Sequence, residues 1–329
     1  MIMTRTPLRI SIGGGGTDLP SYYREHGGGF VISGAINKYV YISVNRSFFP
    51  GYFLKYSDTE HADSCDQIRH PLMREAIRMQ KTLSPLEVVS VADVPAGTGL
   101  GSSGTFLVGL LHALYAMRRE PVTAEALARD AVEIEMNRLG EPVGKQDQYI
   151  AAYGGLLCQE YRPDGEVRVT PLHITEESLH ELRDSLMLFF VGHTRDASTL
   201  LGEQKRLSEA RDPAMIDSLH FARALGREIR EVLEGGRIAE FGPLMHEHWL
   251  RKRARCLRMS DGCIDDLYSL ARSQGGATGG KLVGAGGSGF LLLQTPSRRR
   301  LRDTMLAAGL SEMDFSFDFD GSVVLLRNA

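Results

Sequence analysis

Residues 95–104, Pro-Ala-Gly-Thr-Gly-Leu-Gly-Ser-Ser-Gly, restrict what this chain can become more than any other stretch. Gly97, Gly99 and Gly101 alternate along it, leaving no side chains in the way and admitting the positive φ values that turn successive backbone N–H groups inward. Such a loop, from Pro95 through Leu100 to Gly104, is an anion nest. The run that follows, 105–117, carries Phe106, Leu107, Val108, Leu110, Leu111, Ala113 and Leu114 and is apolar almost all round, as a buried helix is. A nest feeding the start of a buried helix sets unsatisfied N–H donors and the positive end of a dipole against one point, which suits a polyphosphate. Ser102 and Ser103 stand where a hydroxyl reaches a phosphate or its Mg²⁺. The glycines alone are equally compatible with a plain turn; the serine pair and the helix favour the nest.

Neither better-known phosphate loop fits. A dinucleotide-binding fingerprint would place its third glycine at Ser102 and belongs in the first β-α turn of a repeating unit. A Walker loop needs Gly-Lys-Ser/Thr, whereas Gly280–Lys281 continues with Leu282 and an apolar, strand-like run. Net charge is −3 over 329 residues, which argues against nucleic acid as the main partner. Four cysteines without a C-x-x-C spacing argue against zinc and dithiol chemistry. With no signal-peptide pattern and no apolar run of membrane-spanning length, a soluble, cytoplasmic protein is expected, monomeric or homodimeric, with no membrane partner.

Ahead of the nest, 9–12 reads as a short strand opening onto Gly13, Gly14, Gly15 and Gly16, then Thr17 and Asp18. Bare backbone beside a polar Thr-Asp pair is how a chain approaches a small ligand closely; a mobile turn is the alternative. Strands at 30–36, 39–44 and 52–56, a helix at 72–81 and a strand at 86–91 lead to the nest, an α+β arrangement. The helix expected at 123–139 is informative. At 100° per residue Leu127, Ala128, Ala131, Val132, Ile134 and Leu139 share one arc with Glu135 in its middle, while Glu133 points away. A carboxylate on a buried face needs compensation. Either a divalent cation shared with Ser102–Ser103 or the nearby Arg138 would supply it. After Gly140, a shorter helix beginning near 144 places Asp147 in its first turn, where complementing the helix dipole is one role open to it.

Strands are expected at 156–161, 166–172 and 185–191, with a domain boundary in the polar stretch 175–182. The second half reads as helix-rich, at 198–210, 215–234, 238–259 and 261–273. A second glycine cluster at 284–289, strands at 281–283, 290–294 and 322–326, and a helix at 298–308 complete the chain. Arg298, Arg299, Arg300 and Arg302 read as a solvated helix face. Arg251, Lys252, Arg253, Arg255 and Arg258 accompany His246, His248 and the single tryptophan, Trp249. The two histidines are two apart and do not share a helix face, so they are not a metal pair.

Three stretches together resemble the signature motifs of the GHMP kinases, small-molecule kinases that include galactokinase, homoserine kinase and mevalonate kinase. They are Thr6-Pro-Leu-Arg9 through Gly16-Thr17-Asp18, the nest at 95–104, and 281–290. Within the superfamily, the run 12–23, Asn37-Lys-Tyr-Val40, 96–103, Gly144-Lys-Gln-Asp-Gln-Tyr149, His246-Glu-His-Trp249 and Gly279-Gly-Lys-Leu282 resemble the D-glycero-D-manno-heptose 7-phosphate kinases. The resemblance implies two domains, 1–178 related to the second domain of ribosomal protein S5 and 179–329 ferredoxin-like, with the active site between them. It implies ATP and Mg²⁺ as cofactors and a small-molecule sugar phosphate as partner.

Carried over by position, Asp147 matches the catalytic aspartate and Arg9 its basic partner. Ser103 and Glu135 match the Mg²⁺ ligands, residues 95–104 the nucleotide loop, and Thr17–Asp18, with Gly14 and Gly15 before them, the sugar-contacting segment. Arg195 and Lys252 are the candidates for a distal phosphate of the acceptor. Gly14–Gly15 replaces the Gly-Glu-His of galactokinases, which argues against galactose. Gly104 stands where many members have alanine, and Ser288 interrupts the last glycine run. The reaction expected is transfer of the γ-phosphate to the anomeric hydroxyl of a heptose 7-phosphate, supplying nucleotide-activated heptose for surface glycans. A kinase of a neutral sugar such as fucose and a non-catalytic sugar or ATP sensor are the rivals.

Overall fold

The computed structural model describes residues 1–81, 85–192, 198–255, 262–284, 286–287 and 289–327. Two long antiparallel strands, Ile2–Gly13 and Gly29–Asn45, run side by side and form the spine of an eight-stranded sheet. Val323–Arg327 flanks the first of them. Leu86–Ala92, Tyr52–Lys55 and Thr59–Ala62 extend the sheet from one part of the second strand, while Leu156–Tyr161 and Val167–Pro171 extend it from the other. The separate strands expected at 30–36 and 39–44 are one strand. Its register shifts where Leu8 faces Ile36 and Pro7 faces Tyr39, so Asn37 and Lys38 are left outside the ladder. A proline with no N–H to give sits at that break, as a bulge tolerates and an unbroken central ladder does not.

The helix Ser102–Met117 is buried along most of its length against this sheet, as its all-round apolarity requires. Next come Ala124–Val132, capped by the Thr123 side chain, and a π-helical turn, Glu133–Arg138, before Gln146–Tyr153. The polar stretch at 175–182 forms the helix Glu176–Ser185, capped by Thr175.

That helix leads into a four-stranded antiparallel sheet in the order Ser311–Met313, Leu186–Phe190, Phe290–Gln294, Gly279–Leu282. Apolar runs in its strands reflect burial on both faces. Leu186, Leu188, Phe290 and Leu292 join the core shared with the large sheet. Met187, Phe189, Leu291 and Leu293 face a second core with Trp249, Tyr268, Leu301 and Met305. Pro213–Glu234 packs against Ile238–Arg255 and the two long strands of the large sheet, while Ile238–Arg255, Gly262–Ser273 and Arg298–Ala307 cover the small one. On the last of these, Arg298 and Arg302 both hold Glu312, so the arginine run is not merely a solvated face. A single cut in the sequence does not separate the sheets, because Val323–Arg327 returns to the first strand.

Candidate active site

The glycine loop adopts the expected conformation, with Gly97, Gly99 and Gly101 at φ of 78°, 80° and 77°. Gly101 is the N-cap of the helix Ser102–Met117. The N–H groups of that helix's first turn have no intrahelical acceptors. Gly97, Gly99, Gly101, Ser102 and Ser103 line one side of a cleft of about 700 Å³. Pro95, Leu100 and Gly104 do not line it. Leu100 is instead buried, and its carbonyl accepts from the Arg9 N–H at 3.0 Å, docking the loop on the edge of the first strand. The second glycine cluster supports the loop from behind. A Cβ at Gly99 would stand 2.6 Å from the Val283 oxygen, and one at Gly284 2.5 Å from the Gly99 Cα. The backbones touch, which explains glycines on both sides of the contact.

Arg9 grips Asp147 with both arms of its guanidinium, Nε donating to Oδ1 at 2.8 Å and Nη2 to Oδ2 at 2.9 Å. The third nitrogen donates to the Gly99 carbonyl. The Arg9 side chain is 8% exposed and that of Asp147 27%, so the carboxylate remains open to the cleft. Asp147 lies in the first turn of Gln146–Tyr153, as expected. A Cβ at Gly104 would come within 2.9 Å of the Asp147 Cβ, so the small residue there seats the aspartate against the loop.

Glu135 is buried, 2% exposed, whereas the Glu133 side chain is 45% exposed. The π-helical turn swings Glu135 toward the loop, where it accepts from Ser103 Oγ at 2.6 Å and from Gln148 Nε2 at 2.5 Å. Arg138 is turned to Glu75 and Glu133, which removes the simplest ionic partner for Glu135. Burial pushes the Glu135 carboxyl up to about 7; the two hydrogen bonds oppose this, and the charges of Asp147 and Glu141 add to it. Among the described residues no three His, Cys, Asp or Glu side chains could hold a metal by themselves. Mg²⁺ does not need such a cage, because it binds through one or two carboxylates plus substrate phosphates and water. Ser103 and Glu135 fit that requirement.

Gly15, Gly16 and Asp18 also line the cleft. Asp18 accepts from the N–H groups of Gly16 and Gln146, both at 3.2 Å, and its pKa is raised by burial. Thr17 and Gly14 are not in the lining. Thr17 is fully buried, its hydroxyl facing the carbonyls of Gly14 and Phe30 at 2.8 and 2.9 Å and accepting from the Phe30 N–H at 3.0 Å. It holds the loop's shape from behind, which corrects its expected place as a sugar contact. Lys252 lines the cleft, its ammonium donating to the carbonyls of Leu282 and Gly284. Arg195, Arg258 and Ser288 lie outside the described residues.

Several lining residues were given no site role by the sequence reading: Ser11, Gln204, His248 and Lys281. Lys281 had a visible signal, its place at the start of the third kinase-like stretch, 281–290. Gln204 had none, since its contact with the Gly16 carbonyl at 3.3 Å joins residues 188 apart.

Two sequence profiles match the chain, the GHMP kinases N terminal domain over residues 71–155 and the GHMP kinases C terminal over residues 224–309. The D-glycero-alpha-D-manno-heptose 7-phosphate kinase of Campylobacter jejuni is 26% identical, with 97% of each chain covered. A bifunctional fucokinase/GDP-fucose pyrophosphorylase from Arabidopsis thaliana is 29% identical over 66% of this chain and 21% of its own length. The crystal structure of a D-glycero-D-manno-heptose 1-phosphate kinase from Bacteriodes thetaiotaomicron superposes with a TM-score of 0.82 at 25% identity, covering 100% of both chains.

Proposed function

Because the chain belongs to the GHMP kinases and is therefore a small-molecule phosphotransferase, we propose that it transfers the γ-phosphate of ATP to the anomeric hydroxyl of D-glycero-D-manno-heptose 7-phosphate. The product would be the 1,7-bisphosphate, a precursor of nucleotide-activated heptose. The observation that carries the reading is the junction of the Arg9–Asp147 pair with the glycine loop in one cleft. The heptose assignment is supported by the full-length likeness to the Campylobacter jejuni enzyme.

In this reading the N–H groups of the loop and of the following helix turn hold the phosphates of ATP. Ser103 and Glu135 would hold Mg²⁺, which when bound neutralises charge on the β- and γ-phosphate oxygens. Asp147 orients the acceptor hydroxyl and takes its proton, while Arg9 fixes the carboxylate's direction through two parallel hydrogen bonds. Asp18, with the bare backbone of Gly15 and Gly16, receives sugar hydroxyls, and Lys252 meets the acceptor's own phosphate. We place the division between the two domains at 178/179, with the closing strand returned to the first.

The test is ADP release with heptose 7-phosphate, heptose 1-phosphate, unphosphorylated heptose and fucose as acceptors. Heptose 7-phosphate should be preferred. Preference for heptose 1-phosphate would move the reaction to another hydroxyl, as the name of the Bacteriodes protein would suggest. Preference for fucose would favour the neutral-sugar reading that the Arabidopsis relative raises. Asp147→Asn should lower kcat by about 10²- to 10⁴-fold with ATP binding kept. A variant retaining near-normal turnover would refute the assignment of Asp147 as base.

A further inference from the structure

The side-chain amide of Gln146 has a donor that the fold does not use. The residue lines the cleft, is 6% exposed, and opens the helix Gln146–Tyr153 one position before Asp147. Its backbone is committed at both ends. The N–H, which a first helical turn leaves without an intrahelical acceptor, donates to Asp18 Oδ2 at 3.2 Å. The carbonyl accepts from Gln159 Nε2 at 3.3 Å. Gln159 is itself fully buried, and its Oε1 accepts from the Tyr161 hydroxyl. By contrast, among the described residues no atom accepts from Gln146 Nε2, although that nitrogen is buried. A buried amide N–H without an acceptor is destabilising, and native interiors rarely keep one. Packing does not call for it, since leucine or methionine has a similar volume and no polar group to satisfy.

The surroundings specify what would satisfy the amide. The charges of Asp18 and Asp147 are close enough to act on each other, which makes this part of the cleft unfavourable to a phosphate. A neutral hydroxyl fits, because its oxygen accepts from the amide while its hydrogen goes to a carboxylate oxygen. In the reading above Asp147 serves the reacting hydroxyl. Side chains at successive helical positions diverge by roughly 100°, so Gln146 meets a different part of the same molecule.

We propose that Gln146 is a specificity-determining residue of the acceptor pocket, its amide donating to a sugar hydroxyl other than the one that is phosphorylated. The proposal rests on the reading above in taking the acceptor to be a sugar that reacts at Asp147.

Steady-state kinetics on the full chain test it by crossing Gln146→Leu and the unbranched Gln146→Met with monodeoxy analogues of the preferred acceptor. In the wild type, the analogue lacking the hydroxyl that Gln146 holds should lose roughly 10- to 100-fold in kcat/KM, since it leaves the amide unpaired. Both variants should be weaker on the parent sugar by roughly tenfold. They should also discriminate against that analogue roughly tenfold less than the wild type does, with discrimination at every other hydroxyl preserved. Affinity for the ATP analogue AMPPNP, measured by titration calorimetry, should be unchanged. Both variants should unfold in urea no earlier than the wild type, because the amide nitrogen removed has no partner in the fold.

Discrimination unchanged at every hydroxyl in both variants would overturn the proposal. So would variants that fail to fold, or that lose discrimination at every hydroxyl alike, since the amide would then be holding the shape of the cleft. The heptose reading fails separately. If fucose proves the preferred acceptor, that reading ends, and the same pattern is required of the monodeoxy analogues of fucose. A wild type that phosphorylates no sugar would end both.

Discussion

Replacing Glu135 by glutamine removes a charge but keeps the shape and both neighbours of the side chain. The amide oxygen can accept from Gln148 Nε2, and the amide nitrogen can donate to the Ser103 hydroxyl that now donates to the carboxylate at 2.6 Å. What changes is the linkage to pH. Burial holds the folded-state pKa of Glu135 at about 7, against an ordinary value of 4.5. At about 1.4 kcal/mol per unit, that displacement is worth about 3 kcal/mol.

A raised carboxyl pKa means that the folded state binds the proton more tightly than the unfolded chain does. The associated stability is complete below the unfolded pKa and is lost as pH rises through about 7. In EDTA, wild type and Glu135→Gln should therefore unfold in urea with equal free energies near pH 4.5. The variant should become progressively more stable, by about 3 kcal/mol at pH 8. Adding MgCl₂ and AMPPNP should reverse the order, because ligands that bind only the folded state stabilise it by mass action, and the variant has lost a ligand to the cation. A difference that does not vary with pH, or a variant that is less stable at pH 8 in EDTA, would refute the reasoning. Either would mean that a cation of the protein already neutralises Glu135.

Three further substitutions separate the roles of neighbouring glycines and of Thr17. In Gly104→Ala the new Cβ would meet the Asp147 Cβ at 2.9 Å. Turnover should fall by roughly 10²-fold from the displaced aspartate, with KM for ATP nearly unchanged in steady-state assays. Gly144→Ala would put a Cβ 1.8 Å from Asp18 Oδ2. It should raise KM for the acceptor by roughly tenfold, the worth of one displaced hydrogen bond, and leave ATP affinity alone. Thr17→Val strips a buried hydroxyl from the Phe30 N–H and the Gly14 carbonyl. It should cost about 1–3 kcal/mol in urea unfolding. Loss of acceptor affinity without loss of stability would instead restore Thr17 as a sugar contact.

The parts of the site that local chemistry dictates were legible in the sequence. Alternating glycines before an apolar helix require positive φ, and the loop has it at Gly97, Gly99 and Gly101. The helical arc separated Glu135 from Glu133 even though the segment is a π-helical turn, because the preceding regular helix sets the phase. Gln146–Tyr153 likewise kept Asp147 in its first turn. Long-range pairing was not legible. Nothing around residue 17 says that its hydroxyl will be consumed by Phe30, and nothing around residue 138 says that Arg138 will turn to Glu75. The weakly patterned strands Thr59–Ala62 and Ser311–Met313 depend on partners supplied by the fold and carry little signal of their own. The reach of Lys281 to Ile12 spans 269 positions, beyond any periodicity argument.

The pairing of Val323–Arg327 with Ile2–Arg5 bears on biosynthesis. During translation the segment that covers the outer margin of this strand follows it by more than 300 residues. At roughly 5–20 residues per second, the ribosome leaves that margin open for tens of seconds. A nascent chain, or one clipped before residue 323, leaves the hydrogen-bonding groups of Ile2–Arg5 bare, in the strand that also carries Arg9. Such an open margin invites pairing with another chain, and a late-arriving segment becomes the natural gate between productive folding and aggregation.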